Sequence, residues 1–290
     1  MPEHDRQSAG GNSPDKLAVS SHATQHNKER EDLKLLETAV RAAGEIARQY
    51  YGGDYKRWSK EGGSPVTEAD LAVDQYLKQT LLTARSAYGW LSEESADDPA
   101  RLTAKRVFVV DPIDGTVAFL KQRPHFTICV AVVEDGRPRA AAVYNPIAEE
   151  FFAAQEGGGA SLNGAPIHVS DRDVLAGARM LGPKSTFAEG WPPMELTALS
   201  SIAYRIALVA AGRHDGMVSL SLKRDWDLAA ADLIVHQAGG LLTGLDGETL
   251  IYNRPAPVQH ASIAAGPKLQ ALLLEHLRQK EGFASRSGSA

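Results

Sequence analysis

Val107-Phe108-Val109-Val110-Asp111-Pro112-Ile113-Asp114-Gly115-Thr116 is the stretch around which the rest of the chain can be read. The apolar run predicts a buried strand, and such a strand fixes the backbone. Two carboxylates three positions apart follow it, then a glycine and a hydroxyl. A turn after the strand is expected to present both Asp side chains to one point. Pro112 stiffens that turn, and Gly115 lets a ligand approach the backbone closely. Hard cations such as Mg²⁺ take oxygen ligands and keep waters for a phosphate substrate. The stretch therefore reads as a metal-and-phosphate site. The bland alternative is a solvated turn with a capping Asp.

The flanking sequence sorts into elements. Residues 1–30 are polar, without periodicity, and are expected to form a disordered tail. A helix is expected from about Glu31 to Tyr51, with Leu33, Leu36, Val40, Ala43, Ala47 and Tyr50 as its apolar stripe. A glycine-bearing loop follows. Thr67 then caps a second helix, with Asp70 three residues on in a capping-box arrangement. Candidate strands are 90–92, 107–111, 126–133, 139–144 and 151–155. Asp135-Gly136 marks a hairpin. Gly157-Gly158-Gly159 lacks a following Lys-Ser/Thr pair and reads as a turn rather than a phosphate loop. Beyond residue 170, helices are expected at 196–211, 228–237 and 269–278, with a strand at 217–222. The division is a tail over 1–30, an α+β half over 31–170, an α/β half over 171–282 and a loose tail over 283–290, with a cleft between the halves.

Composition sets the outer bounds. The chain has 290 residues and a formal net charge of −5, which does not suggest a nucleic-acid partner. The single cysteine, Cys129, lies in an apolar run and reads as a small buried residue in a reducing compartment. No segment approaches the length of a membrane span, and the N-terminus has no signal-peptide core. A cytoplasmic protein is the expectation.

Three further clusters carry charge. Glu93-Glu94 follows Gly89-Trp90-Leu91-Ser92; acidic pairs at strand ends are usually solvated. Lys223-Arg224-Asp225-Trp226-Asp227 precedes a helix, with Asp227 placed as its N-cap. A carboxylate there can also face a metal, while helix N–H groups favour a nearby anion. Asp70 and Asp74 stand at i and i+4 on one helix face, where like charges repel; Asp74 reads as plain surface. His125, near the acidic stretch, reads as a core or loop residue. Zinc spacing, a nucleophile elbow and a Walker-type loop are all absent.

Together these residues resemble the inositol monophosphatase superfamily, which includes inositol monophosphatases, 3′(2′),5′-bisphosphate nucleotidases and fructose-1,6-bisphosphatases. The resemblance rests on Ser64-Pro65-Val66-Thr67-Glu68-Ala69-Asp70, Ser92-Glu93-Glu94, Asp111 to Thr116, and Trp226-Asp227 followed by Ala238-Gly239-Gly240. It covers roughly residues 33–270. It implies a layered αβαβα sandwich of the inositol monophosphatase / fructose-1,6-bisphosphatase type, with the site between its halves. It implies two to three Mg²⁺ ions. Glu93, Asp111 and the Ile113 carbonyl would hold one; Asp111, Asp114 and Asp227 a second; a third, weaker ion would lie near Glu93 and Asp70. Gly115 and Thr116 would offer backbone N–H groups to the substrate phosphate, and Thr116 with Asp70 would orient the attacking water. Lithium inhibition and a homodimer are further implications.

The substrate is expected to be a small phosphate ester. Inositol monophosphatases carry a sugar-binding glutamate about seven residues before the Trp-Asp aspartate, where this chain has Leu220. Lys223 and Arg224 nearby could meet a second phosphate. A bisphosphate nucleotidase acting on adenosine 3′,5′-bisphosphate is therefore the expectation, with inositol-1-phosphate as the alternative. An RNA-associated binding role on the same fold ranks lower, because the ligand set is complete.

Overall fold

The computed structural model describes residues 14–59, 65–188 and 190–287. Its first half runs α1 (Pro14–Tyr50), β1 (Arg57–Ser59), β2 (Pro65–Thr67), α2 (Glu68–Ala84), β3 (Gly89–Ser92), β4 (Arg106–Asp114), α3 (Thr116–Leu120), β5 (Thr127–Glu134), β6 (Arg137–Asn145), β7 (Glu150–Gln155), β8 (Ala160–Leu162) and β9 (Ala165–Pro166). The second runs β10 (Arg179–Leu181), β11 (Glu195–Thr197), α4 (Ile202–Ala210), β12 (Gly216–Ser219), β13 (Lys223–Arg224), α5 (Asp225–Gln237), β14 (Leu241–Thr243), β15 (Val258–Gln259), β16 (Ser262–Ala265) and α6 (Pro267–Ser287). Among the described residues, no helix is long and apolar enough to cross a membrane.

Five layers result. α1 and α2 cover one face of a seven-stranded sheet ordered β3-β4-β5-β6-β7-β8-β9. α4 and α5 fill the space between its other face and a five-stranded sheet ordered β11-β10-β12-β16-β14. α6 closes the far side. This is the αβαβα sandwich that the sequence implied.

Alternation explains the unbroken apolar runs. Phe108 and Val110 pack under α1 and α2, whereas Val107 and Val109 pack under α4 and α5. In β5, Ile128, Val130 and Val132 take the first face and Cys129, Ala131 and Val133 the second. A strand buried on both faces needs apolar residues at every position. Small residues let helices come close: a Cβ on Gly44 of α1 would lie 2.4 Å from the Tyr144 ring.

Several boundaries differ from expectation. α1 begins at Pro14, so residues 14–30 are helical rather than a disordered tail; residues 1–13 lie outside the described residues. Its early turns have partners, since Gln25 donates to Glu134 at 2.8 Å and Glu29 is buried near Arg106. α6 likewise runs through 283–287, which are rich in neither proline nor helix-stopping turns, and only 288–290 lie outside the described residues. The helix expected over 196–211 is divided. Leu196 pairs in parallel with Met180, and Ser201 caps a helix that starts at Ile202. The strand expected over 217–222 ends at Ser219, leaving Leu220 and Leu222 about half exposed. Asp135-Gly136 turns with positive φ at both residues, as hairpin geometry requires. Gly157 and Gly159 also take positive φ, in the turn between β7 and β8.

One buried ion network ties α1 to the first sheet. Arg106 is 1 % exposed, donates to Asp32 at 2.6 Å and to Glu134 at 3.0 Å, and Asp32 also accepts from Arg85 and Tyr88. Breaking a buried pair from one side strands a charge. Asp32→Ala is expected to destabilise the protein by about 3–5 kcal/mol, read as a lower midpoint in urea with an unchanged slope. A loss below about 1 kcal/mol would mean that water repairs the gap.

Candidate functional site

The register of the sheet builds the site. β3 and β4 run parallel, with Ser92 opposite Val110, so the next residues on each strand, Glu93 and Asp111, emerge side by side. β4 does not end at Asp111. Its pairing with β5 shifts between Asp111 (opposite Cys129) and Asp114 (opposite Thr127), so both aspartates belong to a bulged strand end rather than to a turn. Pro112 sits in this bulge, where its missing N–H costs no ladder bond. Gly115 then takes φ 99°, and a Cβ there would lie 3.0 Å from the His125 carbonyl and 3.2 Å from the Ser201 backbone N. Only glycine suits both demands.

Three helices aim their N-termini at this strand end. α2 brings Asp70, whose Oδ2 accepts from the Thr67 backbone N–H at 2.8 Å and hydroxyl at 2.6 Å, completing the expected capping box. α5 brings Asp227. It is not the N-cap expected from sequence: it stands in the first turn and accepts the Arg224 backbone N–H at 2.8 Å, the reaching-back role of a capping box. α4 brings Ser201, which donates to Asp114 Oδ2 at 2.5 Å, while the Ala203 N–H donates to the same oxygen at 2.7 Å. Positive helix ends make carboxylates less costly here.

Carboxylate oxygens of Glu93, Asp111 and Asp227 all lie within 4.8 Å of one another, a grouping that could hold a metal ion. Asp111 is buried and, among the described residues, its Oδ1 has no hydrogen-bond partner. Burial, and then the charges of Glu93, Asp114 and Asp227, push the Asp111 carboxyl well above its ordinary value. Burial and the Asp114 charge push Asp227 up to about 7. An all-oxygen donor set with an orphaned buried carboxylate oxygen and crowded negative charge fits a hard divalent cation. Asp114 is not part of this three-residue group; its Oδ2 is committed to Ser201 and Ala203. Thr116 Oγ1 is 3.4 Å from Asp70 Oδ1 and 3.2 Å from the Ile113 carbonyl, so the expected Thr116, Asp70 and Ile113 do meet.

Three residues escaped the sequence reading. Asp74 is buried rather than surface. It accepts the hydroxyls of Ser92 at 2.5 Å and Ser95 at 2.7 Å, which both relieves its repulsion with Asp70 and anchors the Glu93 loop. Ser201 is the second, and the pair Ser200-Ser201 was a legible cap signal. Arg205 is the third. It is 7 % exposed, its Nε reaches the Ser201 carbonyl at 3.3 Å, and among the described residues it makes no ion pair. It feels the charges of Asp114 and Asp227 through the interior.

Cys129 and His125 fall away as candidates. Cys129 is buried, with burial and then Asp114 and Asp111 pushing its thiol well up, so it is no nucleophile at neutral pH. His125 contributes its carbonyl to the wall against Gly115. Lys223 donates to Ser221 at 2.9 Å, and the Arg224 guanidinium lies 6.0 Å from the Trp226 ring centroid.

Known proteins share this arrangement of chain. The inositol-1-monophosphatase of Rhizobium meliloti is 31 % identical over 270 residues, covering 86 % of this chain and 96 % of that protein. The Nus factor SuhB of Escherichia coli K12 is 33 % identical over 232 residues, covering 73 % of this chain and 86 % of SuhB. The crystal structure of the extragenic suppressor protein suhB from Bartonella henselae superposes with a TM-score of 0.75 at 28 % identity, covering 85 % of this chain and 98 % of that one. A sequence profile of the inositol monophosphatase family matches residues 28–281, and the chain belongs to that family of metal-dependent phosphatases.

Proposed function

We propose that this phosphatase uses Mg²⁺ and that its preferred substrate is a nucleoside 3′(2′),5′-bisphosphate. The observation that carries the metal reading is Asp111: a buried carboxylate with an orphaned oxygen, crowded by Glu93 and Asp227. Glu93, Asp111 and the Ile113 carbonyl would hold one ion, Asp111, Asp114 and Asp227 a second, with a weaker third near Glu93 and Asp70. When bound, Mg²⁺ supplies the positive charge that offsets the phosphate dianion and the leaving oxygen.

The remaining work falls to the chain. Gly115 and Thr116 offer backbone N–H groups to the phosphate, and Asp227 borders the substrate. The Thr116 hydroxyl has one proton and two acceptors, Ile113 and Asp70. With that proton given to the Asp70 carboxylate, the stronger acceptor, the Thr116 oxygen lone pairs would be left to accept from the attacking water. In-line attack then depends on positioning and charge, with no covalent protein intermediate.

Two observations favour a second phosphate over a polyol. Leu220, 47 % exposed, stands where an acid would bind sugar hydroxyls, so that recognition is missing. Arg205 is a buried cation that makes no direct ion pair among the described residues and meets Asp114 and Asp227 only at longer range, and a buried guanidinium so placed favours a further anion. The competing substrate is inositol-1-phosphate, which the name of the Rhizobium relative suggests. An RNA-associated binding role on the same fold ranks third.

Asp111→Asn is expected to lower phosphate release by more than about 100-fold while circular dichroism stays unchanged. Near-normal turnover would overturn the assignment. Side-by-side assays on adenosine 3′,5′-bisphosphate and inositol-1-phosphate are expected to favour the nucleotide; the reverse preference would transfer the chain to the inositol reading. Arg205→Ala is expected to raise the KM for the bisphosphate by about 10–100-fold, the weight of one charge-assisted hydrogen bond. The KM for adenosine 3′-monophosphate should hardly move. Equal losses on both esters would remove Arg205 from substrate choice.

A further inference from the structure

The loop that carries Glu93 and the helix that carries Asp227 are joined by a chain of polar contacts outside the acidic site, buried at Arg101 and Asp225 and exposed at its Asp97 end. Asp97, four residues after Glu93, takes a two-pronged bond from Arg101, with Nε at 2.6 Å and Nη2 at 2.9 Å. Arg101 is 2 % exposed. Its Nη1 donates to Asn253 Oδ1 at 2.7 Å, and both Nη groups reach the Arg254 carbonyl at 3.2 Å. The Asn253 backbone N–H donates to Asp225 Oδ2 at 2.7 Å. Asp225 is fully buried, and its other oxygen accepts Gln259 Nε2 at 2.9 Å. Asp225 opens α5, two residues before Asp227.

The backbone is shaped for these contacts. Asn253 takes φ 58°, the left-handed region, which aims its N–H at Asp225 while its side chain meets Arg101. Gly89 lets the Arg101 turn dock on β3, since a Cβ at Gly89 would lie 3.0 Å from Arg101 Cα. Asp98 caps that turn through Ala100 N at 2.9 Å. Burying a guanidinium and a carboxylate is costly unless every donor is satisfied, and here nearly every one is.

We propose that Asp97, Arg101, Asn253 and Asp225 form a strap that fixes the spacing of Glu93 and Asp227, making Arg101 a positioning residue for the metal site. The inference rests on Glu93 and Asp227 being metal ligands. Asp111 is locked in the sheet, but Glu93 sits on a loop and Asp227 on a helix end. Before a cation arrives their charges repel, and the strap opposes the separation that would follow. The Arg101 hydrogen bond also holds the Asp97 carboxyl below its ordinary value. Asp74 anchors the same loop from the opposite side, through Ser92 and Ser95.

The test is direct Mn²⁺ binding to the full chain without substrate, read from the electron paramagnetic resonance signal of the free ion. Asn253→Gly removes the side-chain acceptor yet tolerates the left-handed backbone. Weakening of Mn²⁺ binding by about 10–100-fold is expected, the usual effect of losing a group that orients metal ligands. Near-normal kcat should return at saturating metal, and Asn253→Asp, which keeps an acceptor for Arg101, should restore affinity. Asp32→Ala serves as a control, destabilised at a distance, and should bind Mn²⁺ normally. Unchanged Mn²⁺ affinity in Asn253→Gly, with only a lower melting temperature, would overturn the strap. Failure of the unmodified protein to bind Mn²⁺ would instead overturn the metal reading beneath it.

Discussion

The molecule is organised around the cost of holding several carboxylates at the end of one buried strand. Asp111 is buried, and its neighbours Glu93 and Asp227 add repulsion. Each carboxylate is consequently restrained by something built for it. A parallel register fixes Glu93 beside Asp111, hydroxyl and amide donors hold Asp114, and a helix first turn holds Asp227. Convergent helix N-termini soften the field, and the layered core makes the geometry stiff enough to persist.

This arrangement explains why so much was legible in the chain. The Val107–Val110 run read as a buried strand, and a capping turn was a weaker account of the acids after it than a metal site. Thr67 with Asp70 obeyed local capping rules, which survive folding unchanged. What stayed hidden depended on contacts between distant segments. Asp74 looked like surface because its serine partners are eighteen and twenty-one residues away in sequence. Arg205 looked like any helical arginine, since nothing in its own helix announces that the guanidinium is buried.

The errors have physical causes too. A turn was expected after Asp111 because proline usually ends a strand, yet a bulge accommodates the missing N–H and carries the strand to Asp114. Asp227 was placed one role too early, since an acid before an apolar helix run fits the cap and the first turn equally well. The reading of residues 14–30 as a disordered tail failed because polarity alone does not preclude a helix, and because Glu29 finds a buried site near Arg106.

Residues 220–222 hang outside the layered core, with Leu220 and Leu222 about half exposed, whereas Asp111 is locked between two packed helical layers. Substitution in that loop therefore disturbs few packed neighbours, and substitution at the strand end disturbs many. The two parts can change at very different rates over descent. On the proposed reading, a lineage could exchange one phosphate ester for another through that rim while the hydrolytic centre is inherited intact, and shared ancestry at the strand end would then be a poor guide to diet.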